Sequence, residues 1–140
     1  MGSTYGGHPT ACAAAYATLK YNIEHDILGH VRDVAGPVMS EEIDKLVQKH
    51  PSAKAGRNYG LGAGIDLADK HGNFLFNMHE ANAGMDQLRT DLRNDGLITF
   101  ARGHHLHCCP PLIITPQEIR ESFEILDRAF TNLDKYILEH

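Results

Sequence analysis

The sequence contains no run of about 18 apolar residues, so no segment is suited to cross a membrane as a helix. Its N-terminus has no basic stretch leading into an apolar one, and no secretory signal is expected. Positive charge is scarce: 13 Lys and Arg stand against 18 Asp and Glu, a net charge of -5 with histidines neutral. Phosphate-rich partners need a cationic footprint, so nucleic acid and anionic membranes are excluded. There are only 3 cysteines, Cys12, Cys108 and Cys109, an odd number with two adjacent. Adjacent cysteines rarely pair, so a disulfide framework is excluded and a reducing cytoplasm is the expected location. Internal repeats and low-complexity tracts are absent too.

What is present suits one globular domain of 140 residues, 42% hydrophobic and 22% charged, short for a self-sufficient enzyme of most families. Histidine is the compositional oddity, with 10 in all, and His104, His105 and His107 fall close together.

Along the chain, residues 1–9 are glycine-rich and read as a loop. Thr10 to Ile23 (TACAAAYATLKYNI) reads as an alanine-rich helix begun by Pro9. Its small side chains point to burial against another element or another subunit. Asp26 to Lys49 carries apolar residues at helical spacing, interrupted at Gly36-Pro37, which predicts a kink or two consecutive helices. Leu61 to Leu67 reads as a strand, and Lys70-His71-Gly72-Asn73 as a turn able to close a hairpin with Phe74-Leu75-Phe76. Gly84 to Asp95 is predicted helical with Gly96 as its stop, Leu97 to Ala101 a strand, Arg102-Gly103 a turn, and His104 to Cys109 a second strand. Thr115-Pro116-Gln117-Glu118 has the pattern of a capping box opening a helix to about Ile137, with Ile119, Phe123, Leu126, Phe130, Leu133 and Ile137 as its buried stripe. The sum is an α+β fold: a small antiparallel or mixed sheet with helices packed on one face.

Three blocks add a resemblance. The first is Gly2-Ser3-Thr4-Tyr5-Gly6-Gly7-His8-Pro9 followed by Ala11-Cys12-Ala13-Ala14-Ala15. The second is Arg57-Asn58-Tyr59-Gly60-Leu61 running into Gly64-Ile65, and the third is Pro110-Pro111-Leu112-Ile113-Ile114-Thr115 with Ile119. In this order and spacing they resemble the C-terminal third of the class III pyridoxal-phosphate-dependent aminotransferases. The likeness is to the branch acting on ω-amino acids, taurine or amines, and it covers essentially the whole chain.

The resemblance implies an alanine-rich connecting helix from the large-domain side over residues 1–25 and the small C-terminal domain over residues 26–140. It implies that Thr4 contributes to the phosphate site of pyridoxal 5'-phosphate held by the neighbouring subunit of a homodimer; the alternative for Thr4 is an ordinary loop residue. Many members carry an arginine three residues before the first proline of the third block, where it holds the substrate α-carboxylate. Here that position is His107, which puts the usual α-carboxylate mode in doubt and leaves Arg102 as the nearby candidate for substrate binding, against the plainer reading of a solvated turn arginine. Arg57 is expected to be structural, pairing with a carboxylate or carbonyls near the active-site wall.

Chemistry of this kind needs a Schiff-base lysine. In the family that lysine, and the aspartate facing the pyridine nitrogen, lie upstream of the first block. None of Lys20, Lys45, Lys49, Lys54, Lys70 and Lys135 matches it, so the chain as written is expected to hold no cofactor by itself and to be inactive alone, as a C-terminal piece or truncated form of the enzyme. In the full-length family the substrates are a small-molecule amino donor and a 2-oxo acid.

Two other readings stand beside this one. His104 to Cys109 offers imidazoles and thiols, which are zinc ligands, and on a strand His105, His107 and Cys109 share one face with His104 and Cys108 on the other. A closed site needs a second ligand pair, and only His71 and His79 could join, if a hairpin brings them near. The other reading is a non-catalytic oligomerisation or regulatory module that self-associates through the alanine-rich helix.

Overall fold

The computed structural model describes Thr4, residues 6–74 and residues 83–139. Helix α1 (Pro9–Glu24) starts on Pro9 as its composition requires, yet none of its residues is buried. It ends at Glu24 with His25 as its cap, and Asp26 follows at a φ of 45°, tolerated because its carboxylate accepts a hydrogen bond from Gly29 N at 3.2 Å and caps the next helix.

That helix, α2 (Ile27–His30), passes through a π-helical turn at Val31–Ala35 into α3 (Gly36–Lys49). The expected interruption at Gly36-Pro37 is therefore a widened turn. Gly36 N donates to Val31 O, five residues back, and Pro37 follows without a donor to lose. Glycine is required there: a Cβ at Gly36 would lie 2.5 Å from Val31 O.

Strands β1 (Ala53–Tyr59) and β2 (Gly62–Leu67) form a hairpin turning through Gly60 at φ 59°. Helix α4 (Ala83–Asn94) and strands β3 (Phe100–Arg102) and β4 (His105–Cys108) follow, then the long helix α5 (Pro116–Glu139). The sheet order is β1-β2-β4-β3 and every pairing is antiparallel, so of the two expected arrangements the mixed one is not realised.

Three details differ from the sequence reading. β1 was not anticipated, because Ala53-Lys54-Ala55-Gly56-Arg57-Asn58 has little β propensity; it forms because β2 offers it an edge and Gly56 lets α3 approach. A Cβ at Gly56 would fall 2.2 Å from Ile43 Cγ2. The hairpin partner of β2 is accordingly β1, and the stretch after Leu67 contributes only a bridge from Ala68 to Phe74, with Leu75 and Phe76 outside the described residues. Strand β3 is shorter than expected and the turn falls at Gly103-His104, which leaves Arg102 inside the strand.

Helices α3, α4 and α5 cover one sheet face. Ile65, Leu67 and Leu106 from the sheet pack with Ile43, Leu88, Leu92, Leu126 and Phe130 in a single core. Alternation along the strands then turns Arg57, Tyr59, Asp66, Phe100, Arg102, His105 and His107 to the other face. Among the described residues no helix covers that face, and Tyr59 there is 96% exposed.

Candidate functional site

The open sheet face is built from the register. Arg57 on β1 pairs with Gly64 on β2, Gly64 with His107 on β4, and His107 with Phe100 on β3; one rung along, Asp66, His105 and Arg102 are aligned. The rung through Gly64 has no side chain on β2, so a depression of about 530 Å³ opens there, lined by Arg57, Tyr59, Gly64, His105, His107 and Cys109.

Asp66 organises the polar groups. It is 6% exposed, and its Oδ2 accepts from Arg57 Nη1 at 2.7 Å while Oδ1 accepts from His105 Nδ1. Burial pushes its carboxyl up, but the hydrogen bonds from Arg57 and His105 outweigh that and hold it below the ordinary carboxylate value. Arg57 is held above its ordinary value by the hydrogen bond to Asp66 and by that carboxylate's charge. Three ring contacts lie beside the pair: His104 lies against the His105 ring at 3.9 Å between centroids and stacks on Phe74 at 4.2 Å, while His107 tilts against Phe100 at 5.4 Å.

The expected residues are distributed as follows. Arg57 pairs with a carboxylate, as the sequence suggests. Arg102 is exposed at the end of β3, with no ion pair among the described residues. His105 and His107 share the open face and Cys109 reaches the same depression, but the ligand atoms of these three do not converge. The described residues that do converge are Asp66, His104 and His105, with ligand atoms all within 4.8 Å of one another. His104 joins them, contrary to the alternation expected of a longer strand, because β4 starts only at His105 and His104 sits in the turn. His71 is exposed in its turn and is not part of that group, and His79 lies outside the described residues.

Asp66 is the residue the sequence reading overlooked. The available signal was a single acid within the otherwise small and apolar run Gly62-Ala63-Gly64-Ile65-Asp66-Leu67, where a carboxylate is costly unless paired.

Thr4 lies in an exposed turn ahead of α1. All six lysines are exposed. Lys20 lies 3.7 Å from Glu24, Lys45 2.7 Å from Glu41 and Lys49 2.6 Å from Asp127, and Lys54 sits 4.1 Å over the Phe74 ring. A Schiff-base lysine works from an enclosed setting, and the side chains of all six are exposed.

Residues 1–130 match the family described as Aminotransferase class-III. The chain belongs to the class III aminotransferase family. It is 31% identical over 140 residues to gamma-aminobutyrate transaminase 1, mitochondrial, from Oryza sativa subsp. indica, covering 99% of this chain and 26% of that protein. It is 31% identical over 129 residues to ornithine aminotransferase 2 from Staphylococcus aureus, covering 92% of this chain and 28% of the relative. Among solved structures, taurine:2-oxoglutarate aminotransferase from Bifidobacterium kashiwanohense, in complex with PLP and glutamate, superimposes with a TM-score of 0.89 at 31% identity; the match covers 98% of this chain and 31% of that one. This class III chain thus spans between a quarter and a third of the length of the relatives it matches, and its α+β fold is that of the aminotransferase structures.

Proposed function

We propose that this chain is the C-terminal part of a class III aminotransferase of the ω-amino-acid, taurine or amine type. The whole enzyme moves an amino group from such a donor to a 2-oxo acid, using pyridoxal phosphate. Residues 1–25 form the connection from the large-domain side and residues 26–140 the small domain. Alone, the chain is inactive.

The carrying observation is the one-sided sheet: three helices fill one face, and the other carries Arg57, Asp66, Arg102, His105 and His107, of which Arg57, His105 and His107 line an open depression. A domain that folds alone and serves alone would have little reason to leave such a charged and aromatic face bare. As the wall of a site completed by further chain, that face supplies fixed charge. Arg57 is tied down by Asp66, whereas Arg102 has no described partner and remains available to meet a substrate carboxylate. His107, in the place of the α-carboxylate arginine, favours donors whose carboxylate or sulfonate is distant from the reacting amine.

The residues present fit only part of the cofactor. Thr4 offers a hydroxyl to a phosphate, which we assign to the neighbouring subunit's cofactor in a homodimer, while the exposed lysines do not suit the aldehyde. The rest of the holding set must come from further chain. A cytoplasmic location belongs to the same proposal, supported by three free cysteines and by the lack, among the described residues, of a helix long and apolar enough to cross a membrane.

The test is to express the chain as it stands and again with any in-frame coding sequence that precedes it. Soaked with pyridoxal phosphate, the 140-residue chain should give no stable cofactor absorbance band and no turnover. The longer product should show both, with ω-amino acids, taurine or amines preferred as donors. Turnover by the short chain, or a longer frame that carries a Schiff-base lysine yet prefers α-amino acids, would overturn the respective part.

A second reading rests on α1, which buries none of its residues and exposes Tyr16 at 70% and Ile23 at 80%. An oligomerisation module using that helix would persist as a defined complex without cofactor.

A further inference from the structure

Asp66 and His105 face each other across β2 and β4, and His104 folds its ring over His105 from the turn before β4. One ligand atom from each lies within 4.8 Å of the other two. We propose that Asp66, His104 and His105 form a binding site for a borderline divalent transition metal, with Zn²⁺ as its reference ion. The site does not depend on the aminotransferase reading, because its groups are brought together by the pairing of β2 with β4 and by the turn before β4.

Two imidazoles and one carboxylate are the donor set that suits Zn²⁺ and its neighbours in the transition series, and three protein ligands leave a fourth position for water. The ligands come from two chain segments joined only by the fold, so the site exists in the folded chain and not in an isolated histidine-rich peptide. Two of the three are supported from behind, as metal ligands usually are. Arg57 Nη1 holds Asp66 Oδ2 at 2.7 Å and Nη2 reaches Oδ1 at a looser 3.4 Å, which makes Oδ1 the better-placed ligating oxygen. Phe74 stacks on the His104 ring at 4.2 Å and limits its rotation. Both imidazoles are partly exposed, which gives an ion a path in.

In the metal-free protein His105 Nδ1 donates its proton to Asp66 Oδ1. When the ion binds through Nδ1, that proton passes to Nε2 as the neutral ring takes its other tautomer. Bonds from Nδ1 and Oδ1 to the metal then replace the hydrogen bond. Arg57 acts in two ways: it orients the carboxylate, and its positive charge, with Nη2 at 3.4 Å from Oδ1, repels the ion. The net charge effect should dominate, because the carboxylate is also fixed by its place in β2.

The experiment is calorimetric titration of the tag-free chain with Zn²⁺, repeated with Co²⁺, whose visible bands report coordination by nitrogen and oxygen. One ion should bind per chain. His104→Gln alters a turn residue and should leave the circular dichroism unchanged. Its loss of affinity should be at least the roughly 10–100-fold that outer-shell partners carry. His105→Gln should do the same, and Arg57→Met should tighten binding. A double change, His107→Gln with Cys109→Ser, should leave affinity unaltered. Failure to bind one ion, binding that survives His104→Gln, an Arg57→Met variant that binds no more tightly, or loss confined to the His107 and Cys109 variant would each overturn the assignment.

Discussion

His50 Nδ1 lies 2.7 Å from Asp134 Oδ2, linking the residue that caps the end of α3 to the C-terminal part of α5 at a position where His50 is only 3% exposed. The other oxygen of Asp134 accepts from Ser52 N at 3.0 Å, and His50 Nε2 lies 3.0 Å from Asp127 Oδ1 two turns earlier on α5. Two carboxylates on α5 thus fasten the corner where α3 gives way to β1. The edge strand carrying Arg57 depends on that corner.

Removing Asp134 should therefore cost more than a surface charge would. Asp134→Ala strips partners from a buried imidazole and from a backbone N–H, and hydrogen bonds to charged groups are worth about 1.5–3 kcal/mol each where the abandoned group stays buried. A loss of about 2–3 kcal/mol in urea denaturation is expected, with Asp134→Asn in between because an amide oxygen can still accept from Ser52. An effect below about 0.5 kcal/mol, the range of ordinary surface substitutions, would show that the corner is held by packing alone.

The same corner predicts acid sensitivity. The ammonium of Lys49 and then the imidazole of His50 hold Asp127 below its ordinary value of 3.8. With its folded-state pKa depressed, Asp127 contributes stability that is fully present above its unfolded value and is lost as pH falls through the folded one. Between about pH 5 and pH 2 the wild-type chain should lose stability more steeply than Asp127→Asn, which has no proton to gain there. Parallel stability profiles of the two proteins over that range would refute the linkage.

How far the fold was legible depended on whether local chemistry or a distant neighbour decided the element. The start of α5 was fully local: Thr115 N donates to Glu118 Oε2 at 2.8 Å and Glu118 N to Thr115 Oγ1 at 3.2 Å, the reciprocal pattern that Thr115-Pro116-Gln117-Glu118 announces. The apolar stripe of α5 was legible for the same reason, and each of its six named residues is buried. β1 was not, since its only reasons to be a strand are the edge of β2 and the fit of Gly56 beneath α3, both set by residues far along the chain. In the site, alternation correctly put His105 and His107 on one face, because that rule needs only a strand. It could not show that Asp66 lies opposite His105, since register between segments 39 residues apart is a property of the folded sheet.

Gly56 gives a direct test of that packing. Gly56→Ala places a methyl 2.2 Å from Ile43 Cγ2 and 3.2 Å from Val47 Cγ2, and Ile43, 1% exposed and branched at Cβ, has no free rotamer to yield. Overpacking of this kind costs about 1–3 kcal/mol. Ile43→Ala by itself opens a cavity and should cost about 2–5 kcal/mol. Combined, the two should cost less than their sum, because the methyl enters the space the isoleucine vacates. Additive penalties in urea denaturation would mean that Gly56 is required for backbone conformation and not for closeness to α3.

Helix α1 carries the last prediction. Tyr16, Leu19 and Ile23 recur at helical spacing with exposures of 70%, 62% and 80%, and only Asn22 in the whole helix is even partly covered. Apolar surface of this extent on a helix that packs against nothing described is stabilised by removal from water, at about 25 cal/mol per Å². The chain studied by itself should therefore self-associate through α1, and sedimentation velocity should show a species heavier than one chain whose fraction rises with concentration. Leu19→Glu with Ile23→Glu puts two charges on that stripe and should return the protein to a monomer. Thermal unfolding of the α3–α5 core should be unaffected, since neither side chain reaches it. If the preceding large domain is the natural cover, as the aminotransferase reading has it, the same pair of substitutions in the longer protein should weaken cofactor retention as well as assembly. A wild-type chain that stays monomeric at all concentrations would remove both the module reading and the need for α1 to be covered.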